Sequence, residues 1–214
     1  MAQAVSTYAG ALTSIDQLRS IIPAPKPDAY SILKQQSALD GHCRAVIAAA
    51  PFMLLATAGA DGRCDVSPRG DAPGFVYVID DHTLAIPDRP GNRRLDSLEN
   101  IIENPYVGLI FMVPGMDETL RVNGPATIVQ DPELLARMPA GGKTPTLAIV
   151  VEAEEVYFQC ARALKRAQIW QPERWIDRAR LPTLGRILMD QIKPTDITAE
   201  DIDCSLEESN RNLY

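Results

Sequence analysis

The sequence predicts a mainly β fold with helical decorations, an antiparallel barrel built on a strand meander. The observations behind this are turn-rich hairpin connections from residue 52 onward, a lone helical segment among short strands, and helical patterns otherwise confined to the two ends. With 21 Lys+Arg against 28 Asp+Glu, a net charge of −7 and 46% hydrophobic positions, the 214 residues suffice for one domain with a substantial core. The expected plan is a single domain over 1–214: a helical extension at 1–50, a barrel at 52–158 and a helical region at 160–214.

Ser14 followed by Gln17 resembles a capping box, and Ile15, Leu18, Ile21 and Ile22 then fall at helical spacing before Pro23. The Pro-rich stretch 23–28 reads as a connector. Residues 30–39 give a second helical pattern, and Asp40 stands where an N-cap would open a third helix ending before Pro51. Segments 52–57 and 64–67 flank a Gly-rich hairpin turn at 59–62, and 75–79 and 83–86 flank a turn at Asp80 and Asp81. A helix is predicted over 92–103, with Leu95, Leu98, Ile101 and Ile102 on one face and Asn104-Pro105 closing it. Strands follow at 106–112, 119–129 and 147–157, and helices at 161–170, 184–192 and 199–210.

The acidic balance and the lack of a basic tract remove the electrostatic footprint of a nucleic-acid binder. Residues 1–12 lack the charged start and apolar run of a secretory signal, and the nearly uncharged stretch 45–60 is too short for a membrane span and is broken by Pro51 and Gly59. The expectation is a cytoplasmic protein with no membrane partner. Cys43, Cys64, Cys160 and Cys204 form no CxxC pair, and only His42 and His82 offer imidazoles, so neither a disulfide scaffold nor a metal site is expected. The run 141–144 ends like a phosphate-binding loop but lacks its first glycine, which would stand at Arg137. Neither GxGxxG nor GxSxG occurs.

The chemically unusual stretch is a cationic turn. Arg69, Arg89, Arg93 and Arg94 concentrate in loops that end strands, and the last two fall at the start of a predicted helix, where the macrodipole disfavours cations. A phosphate would offset this, through helix-terminal N–H groups and paired guanidinium bonds. Pairing of these arginines with Asp88, Asp96 and Glu99 on a solvated face would also offset it, and spacing alone does not choose. In the strand at 119–129, alternation places Thr119, Arg121 and Asn123 on one face, which suits a ligand cleft or water equally. Trp170 suits stacking on a planar ligand or packing.

The runs SPRGDAPGFV at 67–76, IPDRPGNRRLDSLENIIENPYVGLIF at 86–111 and TLRVNGPA at 119–126 resemble the pyridoxamine 5′-phosphate oxidase-related family of FMN-binding split β-barrels, and CARALKRAQIW at 160–170 is similar to an uncharacterised subgroup of it. The resemblance implies a homodimer with FMN at the subunit interface. It implies that Asn92, Arg93 and Arg94 grip the flavin phosphate with help from Arg69, that Ser67 and Pro68 lie on a strand approaching the ring, and that Pro87 and Asp88 border the ring and ribityl chain. Thr119 falls where the oxidases often carry a glutamine near the flavin; Arg121, on the polar face of the same strand, and Trp170, suited to stacking, complete the candidate cofactor set. The sequence departs from the oxidases acting on pyridoxine phosphate: their Arg-x-His near the C-terminus is missing, and no histidine follows His82. The expected function is therefore FMN-dependent oxidoreduction through flavin N5 on a small-molecule substrate other than pyridoxine phosphate, with NADH or NADPH as candidate donors. The alternatives are a non-catalytic flavin-binding or redox-sensing module, and a binder of deazaflavin or haem.

Overall fold

The computed structural model describes residues 8–214, so the first part of the expected N-terminal extension lies outside the described residues. Eight strands form one antiparallel path that bends around a core without closing. β1 (Phe52–Ala58) and β2 (Cys64–Gly70) make a hairpin whose last pair is Ala58 with Cys64. Gly62 supplies the left-handed residue of that turn, at φ +84. β3 (Tyr77–Val78) and β4 (Thr83–Pro87) form the opposite edge. Between the edges lie β5 (Tyr106–Met112), β6 (Thr119–Val129), β7 (Ala148–Glu152) and β8 (Glu155–Gln159), in the order β2-β1-β5-β6-β7-β4-β3 with β8 also on β6.

β6 serves both halves. Its first part pairs with β5 and β8, and its second part, from Ala126, pairs with β7. The single strand predicted over 147–157 is therefore two. Asn123 pairs with Glu155 and Ala126 with Val151, so Glu152, Ala153 and Glu154 stand opposite only Gly124 and Pro125, and the extra residue bends the strand as a bulge does. Gly124 permits the crossing, because a Cβ there would lie 1.8 Å from the Glu152 carbonyl oxygen.

Strand alternation fills the interior: Met53 and Leu55 of β1, Leu109 and Phe111 of β5, and Leu120 and Val122 of β6 are fully buried. Two helices close over them. α3 (Gly41–Ala49) is capped as predicted, the Asp40 carboxylate accepting from Cys43 N–H at 2.8 Å, and contributes Cys43 and Ile47 to the core. Burial pushes the Cys43 thiol up to about 11, so it acts as an apolar packing group. α4 (Asp96–Glu103) contributes Leu98 and Ile101.

α4 starts later than its apolar spacing predicts. The Asn92 side chain accepts from Arg94 N–H at 3.0 Å, and Arg93 and Leu95 take left-handed φ of 60 and 63, so residues 92–95 form a loop. Leu95 and Ile102 are exposed instead of joining the buried stripe. The predicted helix at 30–39 shrinks to the single turn α2 (Tyr30–Leu33), because Gln36 bridges to Val156 and draws the chain along the sheet. α1 (Ile15–Ile21) forms where expected and buries none of its residues. Its box is shifted: Ser14 accepts from Gln17 N–H, but the Gln17 side chain returns to Thr13 N–H. After β8 come α6 (Arg162–Ala167), shorter than the predicted 161–170, and then α7 (Leu184–Ile192) and α8 (Ala199–Asn210), which pair with each other; the short α5 (Pro132–Leu135) precedes β7. No described helix is long and apolar enough to cross a membrane.

Candidate functional site

The ends of β2 and β4 and the loop leading into α4 enclose a cleft of about 490 Å³, within the range of small-molecule sites. The cleft gathers Ser67, Pro68 and Arg69 from β2, Pro87 and Asp88 from the end of β4, and Asn92, Arg93 and Arg94 from the loop. Segments twenty or so residues apart in sequence are thus brought to one hollow by the open side of the barrel.

Its floor is a directed hydrogen-bond chain. Arg69 Nε donates to Ser67 Oγ at 3.3 Å, Ser67 and Ser97 share a hydroxyl contact of 3.0 Å, and Ser97 Oγ donates to Asp65 Oδ2 at 2.8 Å. Arg69 also meets Asp88 at 3.0 Å, with both side chains partly covered. Ser97 and Asp65 also line the cleft and were not predicted. The available signal was Ser97 itself, a hydroxyl four positions before Ile101 on the stripe that α4 buries.

The rim is cationic. Arg94 is exposed and donates to Asp96 at 2.7 Å, which holds the Asp96 carboxyl below the ordinary range and Arg94 above its own. Arg89 lines the cleft but its guanidinium is spent elsewhere: its Nε reaches Asp71 Oδ2 at 2.6 Å and its Nη1 donates to the Met138 carbonyl. Asp88 and Asp96 therefore do pair with arginines of the cationic turn, whereas Glu99 pairs with none of them among the described residues. Arg93 is exposed and, among the described residues, has no ion pair or side-chain hydrogen bond. It stands just before α4, whose N-cap, Leu95, provides no side-chain acceptor. The first-turn N–H groups and an unpartnered guanidinium thus lie together at the mouth of the cleft, a combination suited to a phosphate or another multivalent anion.

Thr119, Arg121 and Trp170 are not among the residues lining this cleft. Arg121 lies on the face of β6 turned away from the core, where its Nη1 donates to Tyr157 Oη at 2.9 Å. Trp170 donates from Nε1 to the Met116 carbonyl at 2.9 Å. His42 lines a separate groove beside Tyr157, and His82 meets the Ser37 carbonyl, so neither histidine reaches the cleft.

No curated protein matches the chain. Among solved structures it is similar to HupZ of Group A Streptococcus (17% identity, 56% of this chain and 92% of that one, TM-score 0.45). It is similar also to General Stress Protein 26 of Bacillus anthracis (18%, 53% and 88%, TM-score 0.39) and to HutZ, the haem storage protein of Vibrio cholerae (16%, 56% and 93%, TM-score 0.40). The sequence model of the pyridoxamine 5′-phosphate oxidase family matches residues 39–160, which span the barrel, both walls of the cleft and the arginine loop. The chain is a member of the pyridoxamine 5′-phosphate oxidase family.

Proposed function

We propose that the cleft binds FMN and that the protein is an FMN-dependent oxidoreductase. The observation that carries this is Arg93, a cation without a partner among the described residues, beside the uncapped start of α4 at the mouth of a cleft of fitting size. Arg93 and Arg94, with the α4 N–H groups, would hold the phosphate; a phosphate there relieves the unfavourable placement of two cations at a helix start. Ser67, Pro68, Arg69, Pro87, Asp88 and Asn92 would shape the space for the ribityl chain and ring. The Arg69–Ser67–Ser97–Asp65 chain fixes the Arg69 guanidinium, so it needs little reorganisation when a ligand enters. FMN, when bound, supplies hydride exchange at N5 between a donor such as NADH or NADPH and a small-molecule substrate. No histidine, and no unpaired acid of evident proton-transfer geometry, faces the cleft among the described residues, so the chain's part is binding and orientation.

The working unit we propose is a homodimer. The sheet face turned from the core exposes Phe52 and Val66, and Thr119 and Arg121 share that face. A second copy seated there would bring these residues and its Trp170 toward the flavin, which gives a role to the three candidate residues that the cleft of one chain leaves out. A deazaflavin with a phosphate would meet the same cationic rim, whereas haem would lack a histidine ligand in the cleft. The visible spectrum of the purified protein, with chromatography of the released small molecule, tests the assignment. Released FMN supports it, and a colourless protein that takes up no added FMN overturns it.

A further inference from the structure

Next to the flavin cleft lies a second hollow of about 280 Å³, and Phe75 and Arg89 line both. Its floor is Asp71, whose side chain is 3% exposed. One carboxylate oxygen accepts from Arg89 at 2.6 Å and the other from the Tyr214 hydroxyl at 2.5 Å. Burial raises the affinity of Asp71 for a proton, but the bonds from Tyr214, Ala72 N–H and Arg89 outweigh it and keep the group ionised. The Tyr214 ring lies on Gly141, where any Cβ would meet ring atoms at 2.7 Å.

Tyr214 lines this hollow and holds one oxygen of its floor without being built into the core. No residue of α6 or α8 is buried, and α7 buries only Gly185. The hydrogen bonds and ion pairs from residues 161–214 to the rest of the described chain are Trp170 to Met116, Lys165 to Asp117, and the two at Tyr214, its hydroxyl to Asp71 and its carbonyl from Lys143. A buried carboxylate that spends one oxygen on a ring carried by such a loosely held arm resembles a binding site occupied by a tethered ligand.

We propose, building on FMN in the adjoining cleft, that the Asp71 hollow is the substrate subsite and Tyr214 its internal occupant. The site takes a planar ring carrying a hydrogen-bond donor, a phenol or an aromatic amine, which displaces Tyr214 and donates to Asp71. The shared wall of Phe75 and Arg89 places such a ring beside the cofactor space. The apolar ring contact at Gly141 sets the shape preference, and the anionic floor selects against rings lacking a donor.

The test is ligand-observed NMR of p-cresol and of its O-methyl ether on the full chain, with and without added FMN. Removing the tethered competitor in Tyr214→Ala should tighten p-cresol binding by roughly tenfold or more, the factor that a mostly occupied site imposes through its small open fraction. The ether should stay weak, and adding Asp71→Asn should abolish the preference for p-cresol. Tyr214→Phe, which keeps the ring and loses its donor, should fall between wild type and Tyr214→Ala; it carries the test if the smaller side chain impairs folding. Equal affinity of wild type and both variants for p-cresol, or equal binding of p-cresol and its ether by Tyr214→Ala, overturns the subsite. Because NMR reads the hollow without flavin, absence of FMN uptake counts against the cofactor and not against this site.

Discussion

Replacing Arg93 by Ala separates ligand binding from folding more cleanly than any other change in the cleft. The guanidinium is exposed and has no partner among the described residues, so its loss should leave stability within about 0.5 kcal/mol of wild type. Alanine and arginine bear the left-handed φ of 60 at similar cost, since both carry a Cβ. With FMN bound, the same group would make a charge-assisted bond to phosphate worth about 1.5 kcal/mol at the low end fitting an exposed site, roughly tenfold in Kd. Arg94 differs, because Asp96 already holds it and that pair must loosen before the phosphate is gripped. Arg94→Ala should therefore weaken FMN less than Arg93→Ala, and the double variant should lose FMN on purification. The assay is flavin fluorescence quenching with FMN and with riboflavin, beside thermal melts. Riboflavin, lacking the phosphate, should bind the variants and wild type alike. Unchanged FMN affinity in Arg93→Ala, or equal losses for FMN and riboflavin, would refute the phosphate grip.

Ser97→Ala removes the middle of the chain linking Arg69, Ser67 and Asp65, and should cost about 1–2 kcal/mol, read as a drop of a few degrees in Tm together with weaker FMN binding. Gly124→Ala forces a Cβ onto the Glu152 carbonyl at the strand crossing, so loss of soluble folded protein or destabilisation by about 3 kcal/mol is expected in denaturant melts. Asp71, held below the ordinary carboxylate range, contributes stability that is present above that range and lost as pH falls through its lowered folded value; Asp71→Asn should flatten the melting temperature below about pH 4. The Tyr214 hydroxyl is raised by its bond to Asp71, so its docking should hold at neutral pH and release above about pH 10, with phenolate absorbance rising later than in Asp71→Asn.

Much of the barrel was legible because its strands alternate cleanly. β5 and β6 fall at the predicted bounds, α3 starts where Asp40 caps it as expected, and α7 and α8 also keep their predicted bounds, with Thr183 and Thr198 as the caps the structure reveals. What failed lay where tertiary pairing or a side-chain bond competes with periodicity. An Asx turn at Asn92 delays α4, a bridge at Gln36 ends α2, and the bulge opposite Gly124 divides β7 from β8. In the site, β2, β4 and the arginine loop converge on one cleft. The Ser97–Asp65 link escaped notice because a hydroxyl on an apolar stripe shows its partner only once the sheet is assembled. Asp71 and Tyr214 lie 143 positions apart, and no local pattern announces such a meeting.

The strand shared by the two halves has a consequence for how the molecule comes apart. Since β6 gives its edges to β5, to β8 and to β7, neither half can peel away while the other stays intact. Both cleft walls hang on it indirectly, β2 through β1 and β5, β4 through β7. Unzipping at any seam should therefore release the cleft as a whole, and the amides of Val122, Asn123, Gly124 and Ala126 should exchange with solvent at the rate of global opening rather than by local fraying.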